Sequence, residues 1–197
     1  MKIEPFTFVN RFTKDSPFSR VVDGIREECI EMCPEAKRPK LYNHSTVFPP
    51  LWAPPDEMRV FTAGLSILSA QYGEEESHQN EVKVGGIDFF RNPGNIDAMI
   101  LRLLMKPSYR ARVEFVRRHM HEFSKWEFPL LGDEYNPHLC FVEGEGIYEK
   151  LAPHTKRFEK KVKGLTFHLS FPEIMIKRGE KPNTWWEKFD LTSSFPK

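Results

Sequence analysis

At 197 residues, 40% hydrophobic and 29% charged, the chain is long enough to bury a core of its own and has an ordinary globular balance. Its net charge of +1 excludes a protein that coats nucleic acid through bulk electrostatics. No run approaches the roughly 18 apolar residues of a membrane span, and Met1–Phe12 alternates too finely for a signal-peptide core. Cys29, Cys33 and Cys140 give no disulfide framework, so a reduced, cytoplasmic compartment is expected.

In chain order, Ile3–Asn10 is aromatic and β-branched and predicts a first strand. Ser16-Pro17 is a helix start, and Phe18, Val21, Val22, Ile25, Cys29 and Met32 recur at helical spacing up to Pro34. Cys29 and Cys33 lie one turn apart there and read as buried thiols, because a metal would need two further ligands. Leu41–Phe48 predicts a strand that Pro49-Pro50 ends. A second helix begins near Pro55, with Met58, Phe61, Leu65 and Leu68 on one face and Gly73 as its stop. A polar loop over 74–80 leads to a strand at Val82–Phe90, whose Gly85-Gly86 suggests a bulge.

A turn at 92–95 precedes a strand over Ala98–Met105. Pro107 opens an amphipathic helix through Tyr109, Val113, Val116, Met120 and Phe123. His119 and His121 fall on this helix and diverge by about 200°, so they cannot chelate one metal. After a loop over 125–136 come a short strand at Pro137–Val142, a helix over 144–161 interrupted near Pro153, and a strand pair over 165–176 broken around Pro172. The segment 177–197 reads as a polar tail anchored by Trp185 and Trp186. Helices mixed with short strands favour an antiparallel α+β fold. No GxGxxG or Walker pattern is present.

The acidic run Glu74–Glu76 and the basic run Lys156, Arg157, Lys160, Lys161 and Lys163 read first as solvated surface, with a phosphate-binding patch as the alternative for the latter. The chemistry is concentrated in two short motifs 94 residues apart, His44-Ser45-Thr46-Val47 and His138-Leu139-Cys140-Phe141. On a strand, side chains at i and i+2 share a face, so each motif offers an imidazole beside a hydroxyl or thiol. Two neighbouring imidazoles can remove and deliver protons near neutral pH. Polar companions such as Thr46 and Cys140 can hold the non-bridging oxygens of a phosphate.

The motifs and the elements between them resemble the two-histidine (2H) phosphoesterase superfamily, whose hallmark is a pair of H-x-T/S motifs. The proline before His138, in Tyr135-Asn136-Pro137-His138, is a frequent family feature. The resemblance covers roughly residues 3–142. It implies one bilobal α+β domain over 1–197, with two antiparallel sheets around a central cleft and flanking helices. It further implies metal-independent phosphodiester cleavage with His44 and His138 catalytic, Thr46 and Cys140 phosphate-binding, and neither metal nor cofactor. Substrates implied are cyclic nucleotides or oligonucleotides, as for phage anti-CBASS nucleases, or RNA ends with 2′,3′-cyclic phosphates; no membrane is involved.

Cys140 departs from the family's threonine or serine, and a thiol is a weaker donor than a hydroxyl. His168-Leu169-Ser170 also matches H-x-S but lies 124 residues from His44, which fits the family less well. Tyr42, Trp52, Trp126 and Tyr135 are the candidates for base stacking, with core packing as the alternative for each. The rival to an enzyme is a non-catalytic nucleotide- or RNA-end-binding protein on the same fold. A purely structural role for both histidines is a second rival. A zinc hydrolase fits less well, because no HExxH or paired CxxC occurs. Oligomeric state is not legible.

Overall fold

The computed structural model describes residues 4–12, 16–39, 41, 44–53, 56, 59–60, 62–64, 80–91, 96–123, 136–170, 173–178 and 185–189. Strand β1 (Glu4–Arg11) leads to helix α1 (Pro17–Met32) and strand β2 (His44–Ala53). Strands β3 (Glu81–Phe90) and β4 (Asp97–Met105) precede helix α2 (Pro107–Phe123) and strand β5 (His138–Gly144). Helix α3 (Ile147–Leu151), a 3-10 turn over Ala152–His154 and helix α4 (Thr155–Val162) follow. The chain ends in β6 (Thr166–His168), β7 (Glu173–Arg178) and β8 (Trp185–Lys188). The described residues between 56 and 64 are helical, while Met58, Phe61, Leu65, Leu68 and Gly73 lie outside the described residues.

Local chemistry explains the boundaries. Ser16 caps α1 by accepting from the Ser19 backbone N–H, with Pro17 at the first helical position. The helix ends at Met32, where Cys33 adopts an extended conformation. Pro153 replaces one continuous helix with the tight turn between α3 and α4. A bulge in β3 leaves Gly85 unpaired, and Gly86 beside it adopts φ +119°, a conformation ordinary side chains avoid.

Among the described residues the eight strands form one sheet, in the order β6-β3-β4-β5-β2-β1-β7-β8. All the pairings are antiparallel. The two expected sheets are instead two halves of one hydrogen-bonded sheet. Their seam is the β2–β5 pair, where Ser45 lies opposite Leu139. One core runs across both halves, joining Val22, Ile25 and Cys29 of α1, Val113 of α2, and Val47, Leu139 and Phe141 of the central strands. Phe18 stacks on Phe167 at 3.7 Å and meets Phe12 edge-on, tying α1 to β6.

Three expectations need correction. β2 continues through Pro49-Pro50 to Ala53, because its register with β1 shifts there: Phe48 faces Phe8, and Leu51 faces Phe6. A bulge spares those prolines a ladder hydrogen bond they cannot donate. β6 and β7 are not partners; β6 pairs with β3 and β7 with β1, so the chain crosses from one half of the sheet to the other between them. The supposed tail supplies β8, which pairs with β7, and Phe189 is buried after it. The helix over 107–123 forms as predicted; the acidic run 74–76 and the turn 92–95 lie outside the described residues.

Candidate functional site

The seam pair fixes the site. Extending the antiparallel register one residue each way from Ser45 and Leu139 sets His44 opposite Cys140 and Thr46 opposite His138. Ser45 and Leu139 turn inward and are fully buried. The four neighbouring motif residues therefore share the opposite face, each partly exposed. His44 and His138 sit on the diagonal of this square, about 7 Å apart at their Cβ atoms by sheet geometry.

The sheet curls toward this face. Phe90, on β3 and two strands from β5, brings its ring edge-on to the His138 imidazole at a centroid distance of 4.7 Å. Behind the seam, Asn10 lies opposite Ser45 and donates through Nδ2 to the Tyr109 hydroxyl and the Ser170 carbonyl, both at 2.8 Å. Ser170 also donates its N–H to the Arg11 carbonyl and accepts the Arg11 N–H on its hydroxyl. The crossover between β6 and β7 is thereby fastened to the strand beside β2.

The histidines are held differently. His44 Nε2 is 3.1 Å from Thr46 Oγ1, so ring and hydroxyl share a hydrogen bond. Burial drives the His44 pKa down to about 4, and the charges of His138, Arg26 and Arg11 push the same way, against a hydrogen bond to the Leu41 backbone. His138 donates through Nδ1 to the Asn136 carbonyl at 2.9 Å, leaving Nε2 turned away from that anchor. Burial lowers its pKa as well, partly offset by this hydrogen bond. Both shifts favour the neutral imidazole in the free protein.

Burial, reinforced by the charge of Glu143, pushes the Cys140 thiol up to about 12. Its Sγ donates to the Val142 carbonyl at 3.5 Å. A thiolate nucleophile is thus disfavoured.

Several contributors were not visible from spacing alone. Arg26 is fully buried on α1, donating to the Phe141 and Cys140 carbonyls at 3.0 and 2.9 Å and contacting Asp23 at 3.2 Å. Its guanidinium braces the backbone of the second motif. The clue was available, because Arg26 lies four residues after Val22 on the apolar stripe of α1. Arg11 stands opposite His44, and Arg102 opposite His138; only the strand pairing reveals that. Phe90 likewise becomes part of the site only through the curl of the sheet.

The other described candidates lie away from the motif pair. His168 is exposed on the edge strand β6, opposite Glu81, while Ser170 is committed to β1. Trp52 lies on β2 opposite Pro5; Tyr42, Trp126 and Tyr135 fall outside the described residues. Cys29 is buried, its pKa pushed up to about 12 by burial and the neighbouring Cys33 thiol. In the basic run, Arg157 and Lys161 both pair with Glu28 of α1, which ties α4 to that helix. Among the described residues no group of three or more His, Cys, Asp or Glu is placed to hold a metal ion. Among them, too, no helix is long and apolar enough to cross a membrane.

Comparison with known proteins finds no matching family model and no matching curated protein. Solved structures do match. Kluyveromyces marxianus Usb1 with uridine monophosphate aligns over 94% of this chain and 98% of its own, at 14% identity and a TM-score of 0.51. E. coli LigT complexed with 3′-AMP aligns over 96% and 97%, at 10% identity and a TM-score of 0.54. The crystal structure of a phosphoesterase aligns over 96% and 97%, at 10% identity and a TM-score of 0.53. At such identities the likeness is one of fold, and it extends over nearly the whole of each chain.

Proposed function

We propose that this chain, which has the fold of the two-histidine phosphoesterases, is a phosphodiesterase that needs no metal and works through His44 and His138. The observation that supports this most directly is the seam register, which gives one face of the sheet two imidazoles and two hydrogen-bonding companions. Cleaving a phosphodiester requires taking a proton from the attacking oxygen and giving one to the leaving oxygen. In this reading one imidazole does the first and the other the second.

The resting protonation fits a substrate-triggered site. Burial favours the neutral form of both rings without ligand. A phosphate between them adds negative charge, which favours an imidazolium and raises the pKa of the ring that will act as acid. Thr46 exchanges its contact with His44 for a non-bridging phosphate oxygen, where transition-state charge grows. Where a ribose 2′-hydroxyl adjoins the phosphate it attacks and leaves a 2′,3′-cyclic phosphate; where the substrate is already cyclic, water attacks. Phe90, 40% exposed beside His138, offers an aromatic surface to a base.

The ligands of the neighbouring structures, uridine monophosphate and 3′-AMP, support a nucleotide or RNA end as substrate. Cyclic oligonucleotide messengers of the kind destroyed by anti-CBASS nucleases belong in the same test. The protein is incubated with 2′,3′-cyclic mononucleotides, cyclic di- and trinucleotides, 2′-5′ oligoadenylate and RNA ends, with and without a strong chelator, and products are read by mass. The expected result is hydrolysis that survives the chelator. Loss of activity on chelation, or none with any substrate, overturns the reading. The second reading is a binder without turnover. It is favoured by the engagement of the Cys140 thiol with its own strand, which leaves one phosphate-binding position weak.

A further inference from the structure

The motif face does not end at the two histidines. Across the central strands, in the order β4-β5-β2-β1, the sheet places Arg102 next to His138 and Arg11 next to His44. Directly opposed residues of an antiparallel pair share a face, so both guanidiniums rise on the side that carries the imidazoles. They occupy opposite wings, separated by three strand spacings, or about 14 Å along a flat sheet. Arg11 is near enough for its charge to depress the His44 pKa.

Each arginine rests on a carboxylate without being closed off by it. Arg11 Nη1 is 3.9 Å from Glu173 Oε2, and Arg102 Nε is 3.6 Å from Asp88 Oδ2. These separations exceed a hydrogen bond, and the arginine side chains remain 43% and 49% exposed. Ion pairs of this kind add little stability, whereas a phosphate offers a guanidinium a bidentate contact. The carboxylates hold the arginines in place until a more strongly binding anion arrives. Glu173 also has Lys188 at 3.3 Å, so it keeps a cationic partner when Arg11 leaves it.

We propose that Arg11 and Arg102 form two phosphate subsites on either side of the histidine pair, so that the preferred substrate has a phosphodiester on each side of the one cut. That describes an internal linkage of a linear or cyclic oligonucleotide, in contrast to a mononucleotide or a terminal cyclic phosphate with a phosphate on one side at most. The assignment rests on the phosphodiesterase reading for the central phosphate; the wings themselves rest on the strand register alone.

The test compares wild type with Arg11→Gln, Arg102→Gln and the double variant on three substrates: a linear hexauridylate, cyclic tri-AMP and uridine 2′,3′-cyclic monophosphate. Wild type should favour at least one oligonucleotide over the mononucleotide by tenfold or more in kcat/KM. The linear and cyclic arms show which form is used. Each single variant should lower oligonucleotide kcat/KM about tenfold further than mononucleotide kcat/KM, chiefly through KM. In parallel, binding of fluorescent hexauridylate is measured on the His44→Ala/His138→Ala protein. Each arginine loss should weaken it and flatten the salt dependence by about 0.7 in log–log slope.

Equal losses on all three substrates, or preference for the mononucleotide, would overturn the subsites while leaving the phosphodiesterase reading intact. Arginine-dependent binding with no cleavage by wild type would do the reverse. Binding indifferent to both arginines overturns the subsites whatever the activity. Circular dichroism and melting of each variant confirm that the sheet is retained.

Discussion

The two motif strands meet as neighbours at the seam, yet they equip their histidines unequally. In β2, His44 is paired with a hydroxyl that reaches its ring at 3.1 Å, and burial holds it neutral down to a pKa of about 4. In β5, His138 is anchored to a backbone carbonyl, and its companion is a thiol bonded to its own strand. The fold supplies near-symmetry of position, while the side chains break symmetry of chemistry. A strand register can bring two imidazoles together; it does not ensure that each has an equally good phosphate donor beside it. The deficit on the β5 side is flanked by two cations, Arg26 behind the strand and Arg102 across from His138.

The strongest way to break this comparison is to remove each imidazole in turn. His44→Ala and His138→Ala should each lower kcat on the order of 10²–10⁴-fold, the range for a lost general acid or base. The double variant should be little worse than the poorer single, because the two act as a unit. Steady-state kinetics on the best substrate from the panel checks both points. Full activity in His138→Ala, with loss in His168→Ala, would mean that the edge strand β6 supplies the second group.

Thr46 and Cys140 test the asymmetry of the donors. Thr46→Val keeps the shape of the side chain but removes the hydroxyl, and should cost about 10²-fold in kcat, as for one transition-state donor. Cys140→Ala should cost far less, since its thiol is already spent on the Val142 carbonyl. Equal losses from the two would show that the thiol reaches the phosphate after all.

The pH dependence of stability should carry the mark of His44. Its folded pKa, about 4, lies below the ordinary value of 6.5. Between these values the unfolded chain binds more protons than the folded one, so stability is full above about pH 6.5 and falls as pH drops toward 4. The full shift corresponds to about 3 kcal/mol, with the lowered His138 pKa acting in the same direction. Urea unfolding across this range should show the decline, and His44→Gln should flatten it. A slope unchanged in that variant would mean that the ring is solvated and ordinary.

The sequence showed the motifs because strand chemistry is local: i and i+2 share a face, and Thr46 lies within reach of His44 without help from any other strand. The capped start of α1, the bulge at Gly85-Gly86 and the break at Pro153 were legible for the same reason. What was hidden depends on pairing. Arg11 and Arg102 acquire meaning only when β1 and β4 line up beside the motif strands. The crossover between β6 and β7 could not be distinguished from a hairpin, because both begin with two short apolar runs around Pro172. The strand through Pro49-Pro50 was missed because the bulge that accommodates the prolines is set by β1.

The smallest expected effect, and the one that sharpens the comparison most, is at Cys140. Threonine is close to cysteine in size, is favoured on strands, and would recreate in β5 the arrangement that β2 already has. Its hydroxyl is the stronger donor, and a hydrogen bond to an anionic oxygen strengthens as charge builds in the transition state. Cys140→Thr should therefore match or exceed wild-type kcat, by up to about tenfold if the new hydroxyl makes a full charged contact. Cys140→Ser should do nearly as well. A gain would show that the β5 side is held back by its donor and not by the placement of His138. In a protein that binds without turnover, the same change should restore cleavage, since the imidazoles and Thr46 are already in place. If both replacements abolish a robust activity while the melting temperature is retained, the thiol itself touches the reacting phosphate. Its bond to Val142 would then be only a resting position.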